Sequence, residues 1–211
     1  MIWGDLLAAN LWSFALTSIV IELTPGPNMG YLAVLSASSG RRKGFAAVAG
    51  VALGLLVVGV AAALGLAAMI SASPLLYEAM RWGGVFYLLY LAWDGWRESG
   101  MPLGEGARLR GPDSKYFTRG LVTNLLNPKA ALFYVAVLPG FVDATRPVVA
   151  QTIMLSVVYV VIATGIHASV VALAGTAERL MRDDRRRQWV GRGLSLALAG
   201  IAVWFAWSTR G

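Results

Sequence analysis

Six apolar blocks, at residues 6–36, 44–70, 75–96, 118–142, 148–175 and 190–207, make up most of this chain, with short charged segments between them. A helix needs about 20 mostly apolar residues to cross the hydrocarbon core of a bilayer, and each block approaches or exceeds that length. Only 14% of the residues are charged and 57% are hydrophobic, against roughly 25% charged in soluble domains. Such a chain cannot cover a globular surface with solvated groups. The pattern predicts an all-α integral membrane protein with six spanning helices. The first block is longer than one span requires, which leaves room for tilt or an interfacial start.

The net charge of +7 lies between the blocks rather than in one patch, which speaks against nucleic acid as a partner. One set of loops and span ends carries "RRK" at 41–43, Arg97, Arg108, Arg110, Lys115, Arg119, "RLMRDDRRR" at 179–187 and Arg192; the other carries little beyond Arg81, Arg146 and Arg210. Positive loops stay on the cytoplasmic side, so the rich set is expected in the cytoplasm and both termini outside. The start, "MIWGDLLAANLW", lacks the basic segment of a cleavable signal, and the first span is expected to be retained. Trp3, Trp12, Trp82, Trp93, Trp96, Trp189, Trp204 and Trp207 fall near span ends, at headgroup depth where indole rings collect. There is no cysteine, hence no disulfide and no thiolate metal site.

The segment "LTPGPNMGYLAVL" at 23–35 breaks the first block with two prolines and a glycine, and aligns without gaps on "LNPKAALFYVAVL" at 126–138. Leu23, Pro25, Tyr31, Ala33, Val34 and Leu35 meet Leu126, Pro128, Tyr134, Ala136, Val137 and Leu138. Three spans is an odd number, so the second half enters the membrane upside down. One transporter domain over 1–211 is expected, with repeat one at about 6–97, a cytoplasmic connector at about 98–117 and repeat two at about 118–211. Broken helices at matching places in two inverted repeats point to the substrate site of a secondary transporter. Proline removes a donor and frees carbonyls, which in a membrane must be buried in protein or line a polar cavity. The bland alternative is two packing kinks.

Ionisable residues inside a membrane are expensive and mark function. Glu22 precedes the first break, Lys129 follows the second proline, and His167 lies mid-span in "VVIATGIHASVVALAG". Lys129 is expected to hold a substrate carboxylate, pair with Glu22 or exchange a proton; Glu22, Lys129 and His167 are candidates for proton coupling. For His167 the alternative is a neutral imidazole satisfied by a nearby carbonyl. Asp94 has Arg97 and Glu98 three and four positions on, and an interfacial charge cluster explains it. Asn28, Asn124, Asn127 and Thr24 bring polar groups to the breaks. Gly50 and Gly54 form a GxxxG, followed by Gly59 and Gly65, suited either to packing within the bundle or to a homodimer.

"ELTPGPNMGYLAVLSASSGRRKGFAAVAGVALG" and "GLVTNLLNPKAALFYVAVLPGFV" resemble the two signature regions of the LysE/RhtB family of bacterial amino-acid exporters, nearer its RhtB branch. The likeness runs over nearly the whole chain. It implies an exporter in the bacterial cytoplasmic membrane, driven by protons and carrying an amino acid or close derivative, a neutral one such as homoserine, threonine or a branched-chain type. The motif positions it carries over are Pro25, Gly26, Pro27 and Asn28, then Asn127, Pro128 and Lys129. Neither a cofactor nor a resident metal is implied. Two other functions compete. Metal-cation efflux lacks ligands, with no cysteine, one histidine and no carboxylate cluster. A membrane enzyme would need a cluster of catalytic groups facing a cavity, and His167 has no partner motif. No GxxxxGK[ST] segment offers an ATP site.

Overall fold

Proline and glycine cut the first apolar block into two helices. The computed structural model describes residues 2–24, 26–65, 74–99, 111–143, 145–176 and 184–208, and all the regular structure among them is helical. Helix α1, Ile2–Leu23, ends where the Thr24 N–H turns back to the Ile21 carbonyl at 3.1 Å. Gly26 is extended, with φ −161° and ψ 176°, and α2, Pro27–Ser39, starts on proline. That place suits proline because the first N–H of a helix has no internal partner. Pro25 lies outside the described residues.

Gly40 turns the chain from α2 into α3, Arg41–Ala63, at φ 91° and ψ 163°, a conformation open only to glycine. Gly40→Ala is expected to cost about 1–3 kcal/mol, read as a lower Tm of the detergent-solubilised protein. Helix α3 starts three residues before the expected span and ends at Ala63; residues 66–70 of that expected span lie outside the described residues, as do 100–110 of the connector and 177–183 of the last basic loop. Helix α4 is Pro74–Ser99.

The fourth block is also cut. Helix α5, Asp113–Leu125, is capped at Leu126, and α6, Pro128–Leu132, again starts on proline. Asn127 caps α6, its Oδ1 accepting the Lys129 N–H at 3.1 Å. A wide π turn at Phe133–Val137 and a 3-10 turn at Leu138–Phe141 follow, a loosening that the apolar run "FYVAVLPGF" does not announce. The stretches Asp113–Leu125 and Pro128–Phe141 are bent by 51°. Helices α7, Val148–Ala174, and α8, Asp184–Ser208, complete the chain. By length and apolarity α3 and α7 can each cross a membrane, and the bent pair makes a third crossing if taken as one span.

Helix α3 lies against α5 and α7, α4 against α8, α2 against α3, α7 and α8, and α1 against α7. Small residues set the closest of these contacts. A Cβ at Gly50 would stand 1.9 Å from the Phe117 carbonyl oxygen, and one at Gly120 would stand 2.1 Å from that of Ala47. The GxxxG glycines therefore face α5 of the same chain, with Gly54 against the Asn124 side chain.

Polarity is arranged for lipid rather than water. Trp12, Val20, Phe86, Trp93, Val161 and Leu173 are exposed, whereas Ser18, Glu22, Asn28, Asn124, Asn127 and His167 are buried. An apolar exterior around a polar centre is stable only where the surrounding solvent is hydrocarbon. One charge assignment changes. Asp94, expected to cluster with Arg97 and Glu98, instead accepts from the Arg119 guanidinium and lies 3.8 Å from Lys115 Nζ, both on α5. Its face of α4 turns toward α5 while Arg97 is exposed; the Glu98 side chain lies outside the described residues.

A candidate substrate site between two broken helices

The two breaks are held together by a matched pair of hydrogen bonds. Asn28 and Lys129 each stand second in a helix that begins on proline, Pro27 in α2 and Pro128 in α6. Asn28 Nδ2 donates to Asn124 Oδ1 at 2.8 Å, near the end of α5. Lys129 Nζ donates to the Thr24 carbonyl at 2.8 Å, just past the end of α1. Each helix start thus binds the end of the half-helix in the other break. Gly26 makes room for the lysine stem, since a Cβ there would stand 3.4 Å from Lys129 Cδ.

This geometry corrects the gap-free alignment at the break itself. Pro27, not Pro25, stands first in a helix as Pro128 does, after an interruption at 24–26 against one at 126–127. Tyr31 and Tyr134, aligned further on, are both buried.

Glu22 does not pair with Lys129. Its Oε1 accepts from the Tyr159 hydroxyl, and its Oε2 lies 3.4 Å from His167 Nε2. Glu22 is in the last turn of α1, where the helix dipole disfavours negative charge, so partners that donate are needed there. His167 is only 2% exposed and meets a carboxylate rather than the carbonyl that its bland reading supposed. Carboxylate, phenol and imidazole in contact form a chain along which a proton can pass. Below it Phe133 stacks on the Tyr159 ring with centroids 3.7 Å apart, and Tyr134 donates to the Leu55 carbonyl of α3 at 2.9 Å.

Glu22, Asn28, Asn127, Lys129 and His167, with the apolar Met29, Leu55 and Ala130, border one small cavity. Its volume, about 10 Å³ for the centre of a water-sized sphere, is room for about one water molecule. The centre is closed. Beside it, Asn28 Oδ1 and Asn124 Nδ2 are buried with no hydrogen-bond partner.

The candidates Glu22, Gly26, Pro27, Asn28, Asn124, Asn127, Pro128, Lys129 and His167 are thus brought together, and Thr24 joins them through its carbonyl. The Thr24 hydroxyl turns back to the Val20 carbonyl at 3.2 Å. Sequence reasoning missed Tyr159, and it noted Tyr134 only as the repeat match of Tyr31. A signal existed for Tyr159: Thr152, Ser156, Tyr159 and His167 are the buried polar residues of α7, and their spacing puts them on one side of an otherwise apolar helix.

An apolar helical shell around two broken helices and a buried polar centre is the build of an integral membrane protein. The chain belongs to the LysE type translocator family, which matches residues 19–209. It is 28% identical over 207 residues to an uncharacterised membrane protein of Pseudomonas aeruginosa, covering 93% of this chain and 92% of that one. It is 29% identical over 200 residues to the leucine efflux protein of an Enterobacter species, covering 92% and 93%. To the leucine efflux protein of Salmonella choleraesuis it is 35% identical over 139 residues, covering 65% and 66%. No solved structure matches the chain.

Proposed function

We propose that this chain exports a neutral amino acid, a branched-chain one such as leucine, across the cytoplasmic membrane, driven by exchange with protons. The observation that carries this reading is the placing of Glu22 and Lys129 on one cavity from opposite breaks without an ion pair between them. An α-amino acid brings an ammonium for Glu22 and a carboxylate for Lys129. The first turn of α2, which borders the same cavity, presents a helix N-terminus that also suits a carboxylate. Met29, Leu55 and Ala130 offer apolar wall to an aliphatic side chain. Relatives named leucine efflux proteins support the same substrate class.

The helix contacts support two inverted repeats, α1–α4 and α5–α8, on either side of a cytoplasmic connector. Exchanging the halves maps α3–α7 and α4–α8 onto themselves, α3–α5 onto α7–α1, and α2–α8 onto α6–α4, and helices in every one of these pairs touch. In the transport cycle the substrate carboxylate takes the Lys129 ammonium from the Thr24 carbonyl. The Asn28–Asn124 link then parts, and the unpartnered oxygen of Asn28 accepts from the substrate ammonium. The repeats rock about that point, and the cavity opens to one side at a time. Glu22, in contact with Tyr159 and His167, takes a proton when the ammonium leaves.

The reading is tested by feeding leucine-containing dipeptides to cells with and without the protein and following external leucine, isoleucine, valine, threonine and homoserine. No added export of any amino acid would sink it. Glu22→Gln keeps an acceptor for Tyr159 but cannot ionise. In proteoliposomes this variant is expected to move leucine down its own gradient while losing the stimulation by an imposed pH gradient. Stimulation equal to that of the unaltered chain would remove Glu22 from coupling.

A further inference from the structure

Away from the centre, α4 and α8 part on their outer side and leave an apolar groove of about 300 Å³, lined by Leu89, Trp93, Trp96, Leu196 and Ala199. The helices touch tightly beside it, where a Cβ at Gly95 would stand 3.0 Å from Ser195 Oγ. At one end the Arg192 guanidinium lies over the Trp96 ring, 5.0 Å from its centroid. Arg192 Nε is buried there with no hydrogen-bond partner. Arg97, one residue past Trp96, is exposed. The first turn of α8 holds Asp184, Arg185, Arg186 and Arg187, so with Arg97 and Arg192 basic residues outnumber acidic ones at the end where α4 finishes and α8 begins.

We propose that this groove holds an anionic glycerophospholipid, an acyl chain along Trp93 and Leu196 and the phosphate on Arg192. The chemistry at the two ends of the groove differs in the way the two ends of such a lipid do. The wall is apolar and accepts hydrocarbon without hydrogen bonds. The guanidinium, half-buried and held against the Trp96 indole by a cation–π contact, places a positive charge at the end of the groove, where a phosphate is drawn. Basic pockets between helices at the membrane surface take anionic headgroups for this reason. A second copy of the chain fits less well. Helices approach one another in membranes over small residues, whereas this groove presents two tryptophans and its neighbouring glycine already meets Ser195. The site is independent of the substrate transported.

The test uses the purified full chain in nanodiscs and lipids with brominated acyl chains, which quench indole fluorescence on contact. Brominated phosphatidylglycerol and brominated phosphatidylcholine are compared at equal mole fraction, with Trp93→Phe/Trp96→Phe identifying the contribution of these two rings. The expected preference for phosphatidylglycerol is about fivefold, as one basic residue near a charged headgroup supplies. Arg192→Gln is expected to bring that ratio to about one, and Leu196→Phe, which adds bulk at the exposed wall, to lower quenching by both lipids. Equal quenching by the two lipids in the unaltered chain would overturn the proposal, as would a preference that survives both variants. So would unquenched Trp93 and Trp96 in a chain that crosslinks as a dimer across α4 and α8.

Discussion

Lys129→Ala is expected to lower leucine export by about thirtyfold or more at unchanged abundance, because a substrate carboxylate enclosed without its charged partner loses about 2–5 kcal/mol. The charge, rather than the bulk, is expected to be what transport requires. Lys129→Met keeps an apolar stem beside Gly26 and is expected to lose as much as the alanine variant. In the closed form the ammonium is bound to the Thr24 carbonyl, so both variants also free that acceptor and are expected to lower the Tm. The two roles separate by measurement. Initial rates of leucine efflux from proteoliposomes, normalised to reconstituted protein, report the carboxylate contact, while the Tm reports the cap. Unaltered efflux with a lowered Tm would make Lys129 a structural cap and leave the substrate carboxylate to the start of α2.

The breaks were legible because proline has few places to go. Within an apolar run, "TPGPN" and "NPK" each had to end one helix and start another, and the chain does so with proline first in α2 and in α6. Residue type singled out Glu22, Lys129 and His167 as ionisable groups that need partners in hydrocarbon, and the fold puts all three on one cavity. Pairing was not legible. Lys129 reaches the Thr24 carbonyl, and although proline announces freed carbonyls near a break, it does not say which side chain will take them. Tyr159 and Glu22 are 137 residues apart, and their contact depends on how α1 lies against α7. Asp94 misled for the opposite reason: two charged neighbours within one helical turn looked sufficient, yet its partners sit on α5. Equivalence of Pro25 with Pro128 failed because the second helices start on Pro27 and Pro128, two residues off the gap-free register.

The closed centre ties these observations to the helices that carry it. Asn28 and Lys129 occupy the same position in two short helices and bind across to the opposite break, so neither break can move without releasing the other. What positions Asn124, the acceptor for Asn28, is the contact of α5 with α3. Gly54 leaves space for its side chain, and one turn away Gly50 and Gly120 let the two backbones meet.

Gly120→Val is therefore expected to remove most folded protein from the membrane. The added Cβ would overlap the Ala47 carbonyl oxygen, 2.1 Å away, and that atom belongs to the backbone of α3 and cannot swing aside as a side chain would. Overpacking a core costs about 1–3 kcal/mol where side chains can adjust, and here the adjustment has to be a separation of α3 from α5. That separation withdraws Asn124 from Asn28 as well, so any protein that does fold is expected to export more slowly per molecule. Gly165→Ala, on α7 with nothing near its would-be Cβ, is the matched control and is expected to change neither abundance nor Tm by much. Membrane abundance, Tm in detergent and efflux per reconstituted molecule check the pair. If Gly120→Val matched the control in all three, the close crossing of α3 and α5 would have no part in holding the site.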